Sequence, residues 1–457
     1  MKLISTNPGK NYSVLGTVEV SGKEEIKKFV NNAREALFVW KNIGLRRRLV
    51  YLNKLYDIFG EQKDEIARRI TEEVGKPIRQ TKAEVGFFQS YSRWMLDNAE
   101  RILKDEITFE DKNSIHKIVY EPSGIAAAIL PWNSPFGMLS WKLFSNLIAG
   151  NPVIVKHSEE CPLIAMYLDG LIQKIGLPKG VYSQIYGDGE SGAFLLNQDI
   201  NLVCFSGSSD TGRGILEITS DRFIKHFLEM GGSNPGIVFK DANIDKIIGR
   251  IFAGRFNNCG QNCDAIKRLI VHKDVFEKVA DALNNLLKEK VIGDPEDEKT
   301  DFGTLVSEKQ KLLATDQLDD AIAKGAKITG QLKVPGNLKG GFFPPTLLTK
   351  VTKDMRVWKE EVFAPILPTI SFETEEEVVS LANDTEYGLG ASIFTEDKKR
   401  AKRVASLFEC SNVELNNTSQ FLPCNPFGGV KNSTLGSQHG DHGMRELCNI
   451  KVLSFEK

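Results

Sequence analysis

From Pro122 onward the chain alternates short apolar runs with helical stretches, and no other feature constrains its fold as much. The runs are Ile125–Leu130, Val153–Lys156, Val181–Ile185, Leu202–Phe205 and Ile237–Phe239, interleaved with helical patterns such as Leu139–Ala149 and Leu163–Ile175. Apolar runs this short have the length of buried strands. Their alternation with helices specifies βαβ units, hence a parallel sheet covered by helices. A second series follows: Arg268–Val271, helices over Val275–Lys290 and Ser307–Lys324, then strands near Ala326–Ile328, Ile366–Ile370 and Ala391–Phe394. Two α/β domains in tandem fit this order, and the fold class is α/β.

The flanks read differently. Residues 22–104 are helical: Glu24–Trp40 has apolar positions at helical spacing, and Leu45–Glu73 repeats the pattern until Gly75-Lys-Pro77 breaks it. Ile107–Phe109 and Ile115–Tyr120 alternate as a projecting hairpin would, and Cys448–Phe455 reads as a lone alternating strand. With 59 Lys+Arg against 60 Asp+Glu in 457 residues, the net charge of −1 excludes a broadly basic nucleic-acid or anionic-membrane binder. Arg46-Arg47-Arg48 then reads as a solvated helix face. Seven scattered cysteines suit a reducing compartment better than a disulfide scaffold. The first residues carry no apolar signal-peptide core, and no 18 apolar residues run together, so neither secretion nor a membrane span is expected and the expected location is cytoplasmic.

Several segments could carry chemistry. In Gly254–Cys263, Cys259 and Cys263 sit among amides and glycine, outside any apolar periodicity. A cysteine in such a turn can approach a substrate and be held as the reactive thiolate. The spacing of the pair, with no second pair or histidine near, speaks against zinc, and no metal is expected. Glu229 lies before Gly231 and Gly232, at a strand end where a desolvated carboxylate could serve as general base. Pro131–Pro135 follows an apolar run directly and presents Asn133, an amide donor for a developing oxyanion, at the end of a parallel strand. Gly207 and Ser208 open a helix whose N–H groups could hold phosphate, although the pattern is not GxGxxG. Lys156 and Glu159 end another strand and could meet a ribose. His439-Gly-Asp-His442 reads as an exposed loop rather than a metal site.

Taken in order, PWNSP, VKHSE, FSGSSDTG, FLEMGGSNP, NNCGQNC, EEVFAP (Glu360–Pro365) and NPFGG (Asn425–Gly429) resemble the aldehyde dehydrogenase superfamily over essentially the whole chain. Leu447–Ile450 and the Asn-Asn-Cys-Gly-Gln string look like the short bacterial and archaeal NAD(P)-dependent succinate-semialdehyde dehydrogenases. The resemblance implies a Rossmann-type NAD(P)-binding domain (1–104 and 123–230), a catalytic domain (231–431) and a small bridging or oligomerisation element (105–122 and 432–457).

It also implies roles. Cys263 would be the nucleophile, Asn133 the oxyanion donor and Glu229 the base that activates water against the thioester. Lys156 and Glu159 would contact the adenosine ribose, with His157 replacing the family's usual proline. Gly207 and Ser208 would hold the pyrophosphate, Glu361 and Phe363 the nicotinamide ribose and ring, and Trp132 would wall the cleft. Glu159 favours NAD, with NADP possible because Lys156 offsets its charge. The residues aligned near the thiol (Ser134, Asn257, Asn262, Asp264, Ser419 and Gln420) form a polar set that suits a small polar aldehyde, and Trp141 is a further pocket position. Succinate semialdehyde is the expected substrate and glyceraldehyde or another small hydroxy-aldehyde the rival. The cation a distal carboxylate wants is missing at Trp141, where some relatives place Arg, unless Lys142 or Arg255 supplies it. A non-catalytic relative of the fold would have lost Cys263, Glu229 or Asn133, and all three are present. A homodimer or homotetramer is expected, with a small-molecule aldehyde and neither nucleic acid nor membrane as partner.

Overall fold

The computed structural model describes residues 1–418 and 422–457. Five of its strands form the parallel core of a six-stranded sheet: Ala126–Ile129, Val153–Lys156, Tyr182–Ile185, Leu202–Ser206 and Lys225–Glu229. In space their order is 225–229, 202–206, 126–129, 153–156, 182–185, with Thr434–Leu435 added antiparallel beside Lys225–Glu229. The chain begins at the centre, steps outward twice on one side, and returns to step outward on the other. The reversal falls between Ala126–Ile129 and Leu202–Ser206, and at such a switch point the connections diverge and leave a crevice at the carboxyl ends of the strands.

The seven-stranded second sheet runs Lys327–Gln331, Thr346–Thr349, Ile366–Phe372, Ile266–His272, Asn234–Val238, Gly390–Phe394, Asn412–Leu415, parallel except for its first member. The run Ile237–Phe239 therefore belongs here, beside Ile266–His272, rather than with the first series. Both sheets are dry inside: Val153, Ile154, Leu202, Leu269, Ile270 and Ile366 are fully buried. Continuous runs without polar alternation are what a strand covered on both faces requires.

Residues 22–104 form four helices, Lys23–Asn42, Leu45–Glu61, Lys63–Val74 and Ile78–Ile102. The stretch Leu45–Glu73, read as one pattern, is two helices meeting at Gln62. Arg48, read as part of a solvated face, is instead buried. Its helix packs inward there, and its guanidinium donates to Trp40 O (3.4 Å). Cys448–Glu456, read as a lone strand, pairs along its length with Ser114–Pro122, which also pairs with Glu106–Glu110. No helix among the described residues is long and apolar enough to cross a membrane.

Candidate active site

The carboxyl ends of the first sheet and the amino ends of the second face each other across one cleft of about 610 Å³. Pro131–Ser134 leave the strand Ala126–Ile129, and Ser206–Ser208 leave its neighbour, so both flank the switch point. From the second sheet come Cys263, just before Ile266–His272, and Glu361 and Phe363, just before Ile366–Phe372. Pro135 starts the helix Pro135–Ala149, where a missing N–H costs nothing, and so fixes the turn that carries Asn133.

Asn133, Cys263 and Glu229, from three distant segments, all line this cleft. Asn133 Nδ2 donates one hydrogen to Gln261 O at 3.0 Å, leaving its second N–H for a ligand. Asn133 O accepts from Asn258 Nδ2 (3.2 Å) and Lys76 Nζ (3.3 Å), and Asn258 N donates to Gln80 Oε1 (2.6 Å). These bonds tie the Asn133 turn, the Asn257–Cys263 loop and the start of the helix Ile78–Ile102 together. Asn258, Cys259 and Gly260 are all left-handed, with φ of 53°, 53° and 73°. A side chain on Gly260 would also strike Ala364 O, so only glycine fits there. Backbone strain of this kind persists only where surroundings over-determine it.

The Cys263 thiol is pushed well up, first by burial and then by Asp264, with Lys267 opposing. It therefore rests protonated, not as the thiolate expected from its polar neighbours, because the surrounding protein outweighs the flanking amides. Glu229 is 6% exposed, and its Oε1 has no hydrogen-bond partner. Burial raises its carboxyl to about 7, with Lys142 pulling the other way. A carboxylate poised near neutrality and short of a partner can take a proton from a thiol or a water.

The remaining lining fits a dinucleotide. Ser208 caps the helix Ser209–Thr219, its Oγ accepting from Thr211 N at 3.2 Å, and Gly207 beside it also lines the cleft. That helix start offers N–H groups to a phosphate. Glu361 accepts from Gly232 N (3.1 Å) and pairs with Lys267. A side chain on Gly231 would collide with the Glu361 carboxylate, so the backbone there comes as close as glycine allows. Trp132 and Phe363 meet edge to face at 5.6 Å, a flat apolar corner suited to an aromatic ring. Lys156 and Glu159 pair at 3.2 Å at the end of the adjacent strand, outside the cleft lining.

Residues 2–453 match the model of the aldehyde dehydrogenase family. The chain belongs to that family. It is 33% identical over 450 residues to a glutarate-semialdehyde dehydrogenase of Pseudomonas putida, covering 98% of this chain and 93% of the relative. It is likewise 33% identical over 452 residues to the NADP-dependent succinate-semialdehyde dehydrogenase GabD of Escherichia coli, with the same coverages. A crystal structure of an Escherichia coli NADP-dependent enzyme superposes with a TM-score of 0.96 at 31% identity, covering 100% of this chain and 95% of that one. The protein is thus an NAD(P)-dependent aldehyde oxidoreductase by family.

Within this family member, the structure adds residues that sequence reasoning missed. Lys267 Nζ donates to Gly232 O (2.9 Å) and Cys263 O (3.1 Å) while pairing with Glu361, so one buried lysine joins the Cys263 loop to the Glu361 carboxylate. Its signal in sequence was the charged pair Lys267-Arg268 within the strand Ile266–His272. The polar set Ser134, Asn257, Asn262 and Asp264 does line the cleft, as does Trp141. They share it with Phe87, Phe88, Met138 and Leu313, which no motif flagged, and with Phe427 of the NPFGG segment. Ser419 and Gln420 lie outside the described residues. Neither candidate cation reaches the cleft lining: Arg255 is buried against Val362 O and Ala364 O, and Lys142 donates to Gln438 Oε1 at 3.2 Å.

His439 is not in an exposed loop. Its ring packs against Trp141 (3.9 Å), Tyr91 (4.9 Å) and Phe427 (5.6 Å), and burial holds it neutral, well below its usual range. The short helix Gly440–Glu446 turns it inward, while His442 stays outside with Glu446. Among the described residues no three His, Cys, Asp or Glu side chains converge as a metal ion would require. Cys259 packs in the second core with Phe252 and Phe256, its thiol raised to about 12 by burial.

Proposed function

We propose that the protein oxidises an aldehyde to the carboxylic acid through a covalent bond to Cys263. The observation that carries this is the convergence of Cys263, Asn133 and Glu229 on one cleft. Glu229 takes the thiol proton, and the sulfur attacks the aldehyde carbon to form a thiohemiacetal. The free N–H of Asn133 and the backbone N–H of Cys263 hold its oxygen where charge develops, an arrangement worth about 3–4 kcal/mol per donor. Bound NAD or NADP supplies a hydride acceptor. Loss of hydride from the carbon of this oxyanion would leave a thioester on Cys263. Glu229, having returned its first proton to solvent, then deprotonates a water, which adds to the thioester and displaces the sulfur as the acid leaves. In balance, aldehyde, water and the oxidised nicotinamide yield acid, reduced nicotinamide and one proton.

In this reading Gly207 and Ser208 hold pyrophosphate, Glu361 and Phe363 position the nicotinamide side, and Trp132 walls it. Lys156 and Glu159 take the adenosine ribose, with NAD preferred because Glu159 would face a 2′-phosphate. The domain division is 1–104 and 123–230 for cofactor, 231–431 for catalysis, and 105–122 with 432–457 as bridge. A semialdehyde such as succinate semialdehyde is the substrate the named relatives suggest. A neutral aldehyde, glyceraldehyde included, is favoured by the lack of a free cation in the described lining.

The test is a pair of variants. Cys263→Ala is expected to bind NAD yet release no NADH, and turnover retained in it rejects the nucleophile. Glu229→Gln is expected to give a burst of NADH followed by little steady turnover, and an unchanged steady rate rejects the base.

A further inference from the structure

The substrate side of the cleft has a built aromatic wall. Phe88 and Trp141 meet edge to face at 5.1 Å, and Phe427 stands 5.9 Å from Trp141. A side chain on Gly137 would overlap the Phe88 ring, so a glycine in the helix Pro135–Ala149 seats that phenyl directly against its backbone. Tyr91 and His439 back Trp141 at 5.5 and 3.9 Å, which fixes its plane. Phe87, Met138 and Leu313 extend the apolar surface.

Acidic side chains outnumber basic ones in the described lining of the cleft. That lining carries four carboxylates, Glu84, Glu229, Asp264 and Glu361, against one cation, Lys76. Lys76 is engaged, its ammonium paired with Glu84 and donating to Asn133 O. Lys142 and Arg255 lie outside the lining, and the residues outside the description, Ser419, Gln420 and Phe421, are uncharged by sequence. A carboxylate on a substrate's tail would lose water against aromatic rings and meet no free cation in the described lining. Burial of an unpaired ion is strongly disfavoured, whereas an apolar tail gains by leaving water.

Resting on the aldehyde-oxidising reading above, we propose that the substrate is an aldehyde with an uncharged apolar or aromatic tail. Phe88, Trp141 and Phe427 select it over a carboxylate-bearing semialdehyde. The step at Cys263 is unchanged; only the group attached to the aldehyde carbon is specified.

The experiment compares kcat/KM of the full chain, with NAD and with NADP, for succinate semialdehyde, pentanal and phenylacetaldehyde. The two neutral aldehydes are expected to exceed succinate semialdehyde by about tenfold or more, the size of effect that a single apolar pocket contact commands. Equal or better kcat/KM for succinate semialdehyde overturns the inference while leaving the aldehyde reading intact. Turnover of no aldehyde overturns that reading and this inference with it. Trp141→Arg is expected to move the ratio toward succinate semialdehyde, chiefly through KM, and an unchanged ratio removes Trp141 from the selecting set. Should that buried change prevent folding, Phe427→Leu reads the same wall: it is expected to raise KM for phenylacetaldehyde and not for succinate semialdehyde, and equal rises count against the wall.

Discussion

Glu229 carries the clearest consequences at the scale of one residue. Its carboxyl is raised from the usual 4.5 to about 7 because burial disfavours its charge. As the proposed base it must be ionised, so kcat/KM is expected to rise with pH through about 7. A flat profile between pH 5.5 and 8 would count against it. The same shift affects folding. Below about 4.5 the group is protonated whether folded or unfolded and adds nothing. As pH climbs through 7 the unfolded chain ionises freely and the folded one reluctantly, so stability is lost across that window, up to about 3 kcal/mol. Glu229→Gln is therefore expected to stabilise the protein at pH 8 and much less at pH 5. Equal shifts in urea midpoint at both pH values would refute this. Cys263, Asn133 and Glu229 were legible because each sits in a motif that breaks the surrounding periodicity. The protonated state of the thiol was not, since it depends on protein packed around Cys263 rather than on its neighbours in sequence. Lys267 was hidden for the same reason: its partners lie in three separate segments.

Helices and strands were readable where the apolar pattern is continuous, as in Val153–Lys156 or Ile266–His272, and missed where half-exposed residues blur it. The N-terminal hairpin Lys2–Asn7 with Ser13–Glu19 mixes buried and exposed positions with no clean alternation, and Asn412–Leu415 is a short edge strand with no fully buried position. Contacts between elements were equally unreadable. Glu73, near the end of the helix Lys63–Val74, accepts from Leu163 N (2.8 Å) and Ile164 N (2.7 Å), the first turn of the helix Pro162–Gln173, and from Ser5 Oγ (2.5 Å). One buried carboxylate thus satisfies the free N–H groups of a second helix and pins the N-terminal hairpin. Glu73→Ala leaves these donors unpaired and is expected to cost about 3 kcal/mol in denaturant unfolding. Ser5→Ala, which leaves the helix bonds in place, should cost about 1 kcal/mol. Comparable losses from both would place the effect in the hairpin instead.

For the whole molecule, the sequence announced two α/β units but not how they face. Only the first sheet offers the carboxyl ends of its strands to the cleft; the second offers amino ends, so the thiol sits at the start of a strand rather than at its finish. The strand Cys448–Glu456 raises a different question. It is paired on one side only, by Ser114–Pro122, and is exposed along most of its length. Its residues Ile450 and Val452 are 67% and 62% exposed and share a sheet face with Phe109, at 53%. A long apolar edge left open invites another strand, and soluble proteins usually blunt or cover such edges. A second copy of this chain would cover edge and face together, which accords with the expected dimer or tetramer. Light scattering at micromolar concentration is expected to give a multiple of the 50.9 kDa chain. Ile450→Asp with Val452→Asp should lower that mass toward one chain without unfolding it, since both side chains already face outward. A wild-type monomer would exclude assembly, and an assembly untouched by the double variant would move the interface elsewhere on the surface.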